Sequence, residues 1–273
     1  MCGITGWVDF NRDINIEQAT LNAMTDTLAR RGPDAGGIWT DKHIGLGHRR
    51  LSVIDPQGGL QPMSAASDSA GPPSLAVMSY NGEVYNYHEL REELIALGHT
   101  FNTLSDTEVI LRAYLEWKAD FVHKLNGIFA IAIWDQAEQQ LLLVRDRLGV
   151  KPLYYYPLPA GVLFGSEPKA ILANPLAKAQ VSREGICDSL LFIRTPGRVP
   201  FQGMFELKPG HTLTISRDGI EQNCYWRLTA KPHTDDLDTT IKTVQQLLED
   251  AVKRQTISNV PLCSLLSGGL DSS

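Results

Sequence analysis

Long hydrophobic runs are missing from this sequence. Its longest apolar stretches, residues 128–134 and 141–144, fall far short of the ~20 residues that cross a bilayer. No basic segment followed by an apolar one opens the chain, so a secretory leader is not expected. Cysteine is scarce, with four in 273 residues (Cys2, Cys187, Cys224 and Cys263). They show neither CxxC spacing nor the density of a disulfide scaffold, which points to a reducing, cytoplasmic compartment. The seven histidines form no HxH, HExxH or Cys/His cluster, so no metal is expected in the bulk of the chain. A dense Lys/Arg tract is also absent and the net charge is −6, which argues against nucleic acid as a partner. There are no internal repeats.

What is present is an ordinary globular balance, 43% hydrophobic and 21% charged, enough for one large domain or two small ones. Residues 4–10, 75–80, 127–134, 140–146, 162–165 and 212–216 read as strands. Residues 44–54 read as another. A helical stripe is expected over 16–30 from Ile16, Leu21, Met24 and Leu28. Asn86 with Glu89, and Ser105 with Glu108, have capping-box spacing ahead of two further helices. Residues 31–37 and 64–74 read as loops, and Asn81-Gly82 as a turn before a returning strand at 83–85. Strands interleaved with paired helices suggest an α+β layered domain ending near 228, with a polar linker over 229–236. An amphipathic helix then carries Leu237, Ile241, Val244, Leu248 and Val252. A buried strand over 260–266 would lead into Ser267-Gly268-Gly269-Leu270-Asp271-Ser272.

Cys2 stands out by position. Any residue can follow Met1, and a cysteine there can be a lipidation site. If Met1 is removed, however, Cys2 carries a thiol and a free α-amine, a nucleophile and a base on one residue.

Six motifs then occur in one order: Cys2-Gly3-Ile4, Arg31-Gly32-Pro33-Asp34, Arg50-Leu51-Ser52, Tyr80-Asn81-Gly82-Glu83, Ser105-Asp106-Thr107-Glu108, and Arg145-Asp146-Arg147-Leu148-Gly149-Val150-Lys151-Pro152. That order resembles the class II glutamine amidotransferases, which are N-terminal-nucleophile (Ntn) hydrolases. Ser267–Ser272 resembles the pyrophosphate loop of ATP pyrophosphatases. Together they resemble the glutamine-hydrolysing asparagine synthetases of bacterial type, in a chain that looks truncated.

The resemblance implies a four-layer αββα sandwich of two antiparallel sheets over 2–228, followed by an incomplete α/β segment over 237–273. It implies that Cys2 attacks the glutamine side-chain amide, with Asn81 (side chain) and Gly82 (backbone N–H) holding the oxyanion. Asn-Gly is equally the commonest type I′ turn, and both readings can hold. Glutamine would be bound by Arg50, Leu51, Ser52, Val53, Ile54, Asn81, Gly82, Glu83 and Asp106. Arg50 would pair bidentately with its α-carboxylate, and Asp106, with Glu83 beside it, would hold its α-ammonium. Residues 31–37 would be a mobile lid, and 145–152 scaffold.

No cofactor is expected for the glutaminase step. ATP and Mg²⁺ would serve the full-length synthetase through Leu266, Ser267, Gly268, Gly269, Asp271 and Ser272. L-aspartate would then be the acceptor, and a homodimer is possible for this family type. A different carboxylate acceptor, or a non-catalytic remnant, are the alternatives. Cys263 is expected to be a buried small hydrophobe, and the segment after 236 to expose an apolar face.

Overall fold

Alternating side chains build two sheets whose inner faces meet. In the computed structural model, which describes residues 1–66, 75–193, 195–264 and 267–269, the strands are β1 (Gly3–Asp9), β2 (Ala35–Asp41), β3 (Ile44–Arg50), β4 (Met63–Ala66), β5 (Leu75–Val84), β6 (Gly127–Asp135), β7 (Gln140–Arg145), β8 (Tyr154–Leu158), β9 (Gly161–Gly165), β10 (Phe205–Glu206), β11 (His211–Ser216) and β12 (Gly219–Cys224). The helices are α1 (Gln18–Asp26), α2 (Tyr87–Ala96), α3 (Asp106–Trp117), the short α4 (Phe121–Lys124) and α5 (Pro168–Leu172), α6 (Arg183–Leu190) and α7 (Leu237–Gln255). One sheet runs β10-β8-β9-β1-β3-β2 and the other β12-β11-β7-β6-β5-β4. Every pairing between them is antiparallel.

The period of two decides which side chain joins which layer. On β6, Ala130, Ala132 and Trp134 face the first sheet and meet Ile4, Val8, Ile44 and Leu46. Ile131 and Ile133 of the same strand point the other way, towards Val109, Ile110, Ala113 and Tyr114 of α3. On the far side of the first sheet, Trp7 and Leu163 pack with Met24 of α1 and Ile171 of α5. The result is the expected α-β-β-α layering, with both sheets covered on their outer faces.

Several local expectations are corrected. Asn81-Gly82 is not a turn: β5 runs through it unbroken, pairing Asn81 with Ala130 and Gly82 with Phe129. Glycine is needed at 82 for another reason. A Cβ there would lie 2.2 Å from the Ile128 carbonyl oxygen and 2.7 Å from Phe129 Cα. The strand expected over 44–54 ends at Arg50, and the loop expected over 31–37 gives way to β2 at Ala35. Residues 64–66, expected as loop, lie in β4. Ile16 is 81% exposed, because a 3₁₀ turn (Ile14–Glu17) precedes α1 and buries Ile14 instead.

Asn86 makes no cap bond. Its amide donates to Lys124 O and accepts from Asn126 N–H. Ser105 does cap α3 through Thr107 N–H. Glu108, rather than closing the box on Ser105, accepts from the backbone of Asn102 and Thr103.

Beyond β12 the chain changes character. The apolar face of α7 is uncovered, with Leu237, Ile241, Val244, Leu247, Leu248 and Val252 between 49% and 73% exposed. The expected buried strand over 260–266 is irregular and mostly exposed through residue 264, and Cys263 is exposed rather than buried. Residues 265 and 266 lie outside the described residues. No helix among the described residues is long and apolar enough to cross a membrane.

Candidate active site

The site forms where the two sheets and α3 converge. β1 starts at Gly3, so Cys2 sits at its entry, opposite the end of β3. Cys2 Sγ donates to Leu51 O at 3.6 Å, and Leu51 N–H donates back to the sulfur at 3.4 Å. Beneath, two hydrogen bonds tie the sheets together: His48 Nε2 to Tyr80 O (3.0 Å) and Ser79 Oγ to Gly47 O (3.1 Å). They set β3, which carries Arg50, against β5, which carries Asn81 to Glu83.

A cleft opens here, with Cys2 in its lining. It brings together eight of the nine residues expected to bind glutamine, namely Arg50, Leu51, Val53, Ile54, Asn81, Gly82, Glu83 and Asp106, with Cys2. Ser52 is the exception; its N–H is held by Asp34 Oδ2 at 2.8 Å.

Asn81 is 1% exposed, and its Nδ2 is buried with no hydrogen-bond partner among the described residues. An unmet buried donor costs about 1–3 kcal/mol, so an acceptor arriving in the cavity would relieve it. Asp106 is buried at the first turn of α3. Its Oδ2 accepts from Tyr80 OH (3.0 Å) and Val84 N–H (3.3 Å). Burial pushes its carboxyl up despite those bonds. Burial and then the Asp106 charge push Glu83 up as well. Two acidic groups on one wall form a place that a cation would stabilise.

Arg50 is buried, not a surface arginine. Its Nη1 donates to Pro56 O (2.6 Å), and its Nη2 to Ile54 O (3.0 Å) and Asp55 O (2.7 Å). Three of its five N–H groups therefore brace the 54–56 loop, which leaves less of the fork for a carboxylate than the sequence suggested. The expected lid is also different. Ala35, Gly36 and Gly37 pair with Arg50, Arg49 and His48, and a Cβ on Gly37 would meet Gln61 O at 2.5 Å. Gly37 thus lets the backbone of residue 61 approach, and Gly36 makes room for the Arg49 side chain. Arg31 donates through Nε to Cys2 O (2.8 Å) and through Nη1 to Glu167 (3.0 Å).

Residues 145–152 brace one side of the cavity. Asp146 accepts from the N–H groups of Phe129, Leu148, Val150 and Lys151. Arg145 pairs with Glu206 at 2.9 Å and bonds Lys151 O at 3.0 Å. Three contributors went unnoticed in the sequence. Lys151 lines the cavity. Gln61 lines it too, and its Oε1 accepts from Tyr80 N–H at 2.6 Å. Asn259 reaches back from beyond α7, its N–H bonding Val53 O (3.0 Å) and its Oδ1 accepting from Asp55 N–H (2.9 Å). No motif marks Gln61 or Asn259; only Lys151 lay inside one.

Of the expected nucleotide residues, Ser267, Gly268 and Gly269 are exposed, with Gly268 at φ +75° and open space where a Cβ would stand. Leu266, Asp271 and Ser272 lie outside the described residues. Those described do not enclose a nucleotide.

Comparison with known proteins adds an independent line. Residues 243–273 match the asparagine synthase family. Asparagine synthetase [glutamine-hydrolyzing] 3 of Bacillus subtilis is 49% identical over 275 residues, covering 100% of this chain and 44% of its own length. Asparagine synthetase [glutamine-hydrolyzing] 1 of the same organism is 37% identical, with 43% of its length covered. The chain thus spans less than half the length of these relatives. Among solved structures, the allosteric regulatory enzyme of purine biosynthesis shares the fold at TM-score 0.60 and 17% identity, over 83% of this chain and 49% of that one. Residues 1–226, most of the chain, match the glutamine amidotransferase domain family, and the chain belongs to it.

Proposed function

We propose that this chain is the glutaminase half of an ATP-dependent asparagine synthetase, with Cys2 as nucleophile once Met1 has been removed. The observation that carries the reading is that the Cys2 sulfur shares one cavity with a buried, partnerless amide donor on Asn81 and an acidic wall of Glu83 and Asp106. Burial holds the amino end of the chain, here Met1's, below its ordinary pKa, with Arg31 and Lys151 adding to the effect. The same setting would favour a free amine on Cys2.

Burial pushes the Cys2 thiol up, and the Leu51 N–H and nearby cations oppose it. The resting sulfur is therefore protonated and needs a base. In the proposed reaction the α-amine takes the thiol proton as Sγ adds to the glutamine side-chain carbonyl. Asn81 Nδ2 and Gly82 N–H hold the resulting oxyanion. The C–N bond then breaks, and the amine returns its proton to the departing nitrogen, releasing ammonia and leaving a γ-glutamyl thioester. Water adds next, gives its proton to the amine, and the C–S bond breaks to release glutamate and restore the thiol.

Asp106 and Glu83 would hold the substrate's α-ammonium, and the free edge of Arg50 its α-carboxylate. The ammonia would go to an aspartyl-adenylate formed elsewhere in the whole protein, with ATP and Mg²⁺ required there. The family matched by residues 243–273 supports that acceptor over another carboxylate.

The test is glutamate release from glutamine by protein shown by mass to begin at Cys2, alongside Cys2→Ala. Release that disappears in the variant supports the reading. Equal release from both, or none from the parent, overturns it for this chain.

A further inference from the structure

Cations surround Cys2 unequally. The charged groups facing it are the chain's amino end, Arg50 from β3, Glu83 from β5, Asp106 from α3, Arg31 and Asp34 from the segment before β2, and Lys151 from the turn after β7. His48 lies beneath and is neutral, since burial holds its pKa to about 4. Two of the three side-chain cations are occupied. Arg50 gives three of its five N–H groups to the carbonyls of residues 54–56, and Arg31 bonds Cys2 O and Glu167.

Lys151 is different. It is only 8% exposed and lines the cavity. Both its backbone groups are fixed, N–H on Asp146 Oδ2 (2.9 Å) and C=O under Arg145 Nε (3.0 Å). Its ammonium has neither an ion pair within 4.0 Å nor a hydrogen bond among the described residues. Buried cations are ordinarily paired. A lysine held rigidly at a cavity wall without a direct partner leaves its charge to act on the groups that share the cavity, Glu83 and the Cys2 sulfur. Of these two, the sulfur is the one that becomes an anion during the proposed reaction.

We propose that Lys151 is a positioning residue that acts through Cys2, its ammonium favouring the anionic sulfur over the thiol. The proposal rests on the glutaminase reading in taking Cys2 as the nucleophile. Desolvation lowers the Lys151 ammonium, while Glu83 first and Cys2 second pull it back up. By reciprocity, the cation stabilises negative charge on both neighbours. Charge close to a thiol is among the strongest means of raising its thiolate fraction.

The experiment is site-resolved alkylation of the whole chain with iodoacetamide, followed by peptide mass mapping from about pH 6 to about pH 10. Wild type, Lys151→Met and Lys151→Arg are compared. Cys187, Cys224 and Cys263 are all exposed and serve as internal references. The expected result is that Lys151→Met lowers the Cys2 rate near neutrality on the order of tenfold, displaces its pH midpoint upward and leaves the references alone, and that Lys151→Arg restores it. A Cys2 profile in Lys151→Met that superposes on wild type overturns the proposal, even if turnover has fallen. Because alkylation needs no glutamine, a displaced profile in a chain without glutaminase activity would sink the functional reading and leave this one standing.

Discussion

Replacing Asn81 by alanine separates catalysis from stability. The Nδ2 group is buried and has no partner among the described residues, so its removal breaks no hydrogen bond there. It also relieves a desolvation cost of about 1–3 kcal/mol, which offsets the packing lost with the amide. Stability is therefore expected to stay within about 1 kcal/mol of wild type, and the melting temperature within a few degrees. Turnover should fall far more. One donor removed from an oxyanion hole costs on the order of 10²–10³ in kcat, or about 2.7–4 kcal/mol. Substrate affinity should change little, because the donor is used fully only when negative charge develops. The assay is steady-state glutamate release beside thermal unfolding followed by circular dichroism. Asn81→Asp, which fits the same space but offers only acceptors when ionised, should lose at least as much. A kcat for Asn81→Ala within about threefold of wild type would refute the oxyanion assignment. So would a loss of activity explained by unfolding, since the partnerless amide would then have had a structural role.

Two further outcomes follow from the same region. Gly82→Ala places a Cβ 2.2 Å from the Ile128 carbonyl oxygen on a paired strand, so the backbone must shift; a cost of about 1–3 kcal/mol is expected and is read by chemical denaturation. His48 is buried and neutral with its pKa lowered from 6.5 to about 4, so its contribution to stability is complete above 6.5 and is lost as pH falls through that window. The loss amounts to about 3 kcal/mol by pH 4, and the slope of stability against pH should flatten accordingly in His48→Gln.

How much of the molecule was legible depended on the range of the signal. The β6–β7 hairpin appeared in the sequence almost at its observed bounds, because two alternating apolar runs separated by a short polar stretch have few other solutions. Helix α7 was equally plain from its spacing, including its uncovered face. Asn81-Gly82 misled because its preference for tight turns is local, whereas here β6 pairs alongside and keeps the strand straight. The capping box at Asn86 failed for the same reason, since residues 124 and 126 compete successfully for its amide.

By itself, then, the sequence determined the chemistry: a cysteine at the start of a strand, an amide beside a glycine, and acids at a helix start, in a family's order. Those are properties of residue types and of short spacings, and they survive without coordinates. Only the tertiary structure decided how these groups are used. Among the described residues it left the Asn81 amide without a partner, committed most of the Arg50 guanidinium to backbone carbonyls, and set Lys151 at the cavity wall with no direct ion pair. Each of these depends on segments far apart in the chain meeting at one place. Burial then sets the cost of every charge and donor left unmet there, which no local pattern of residues encodes.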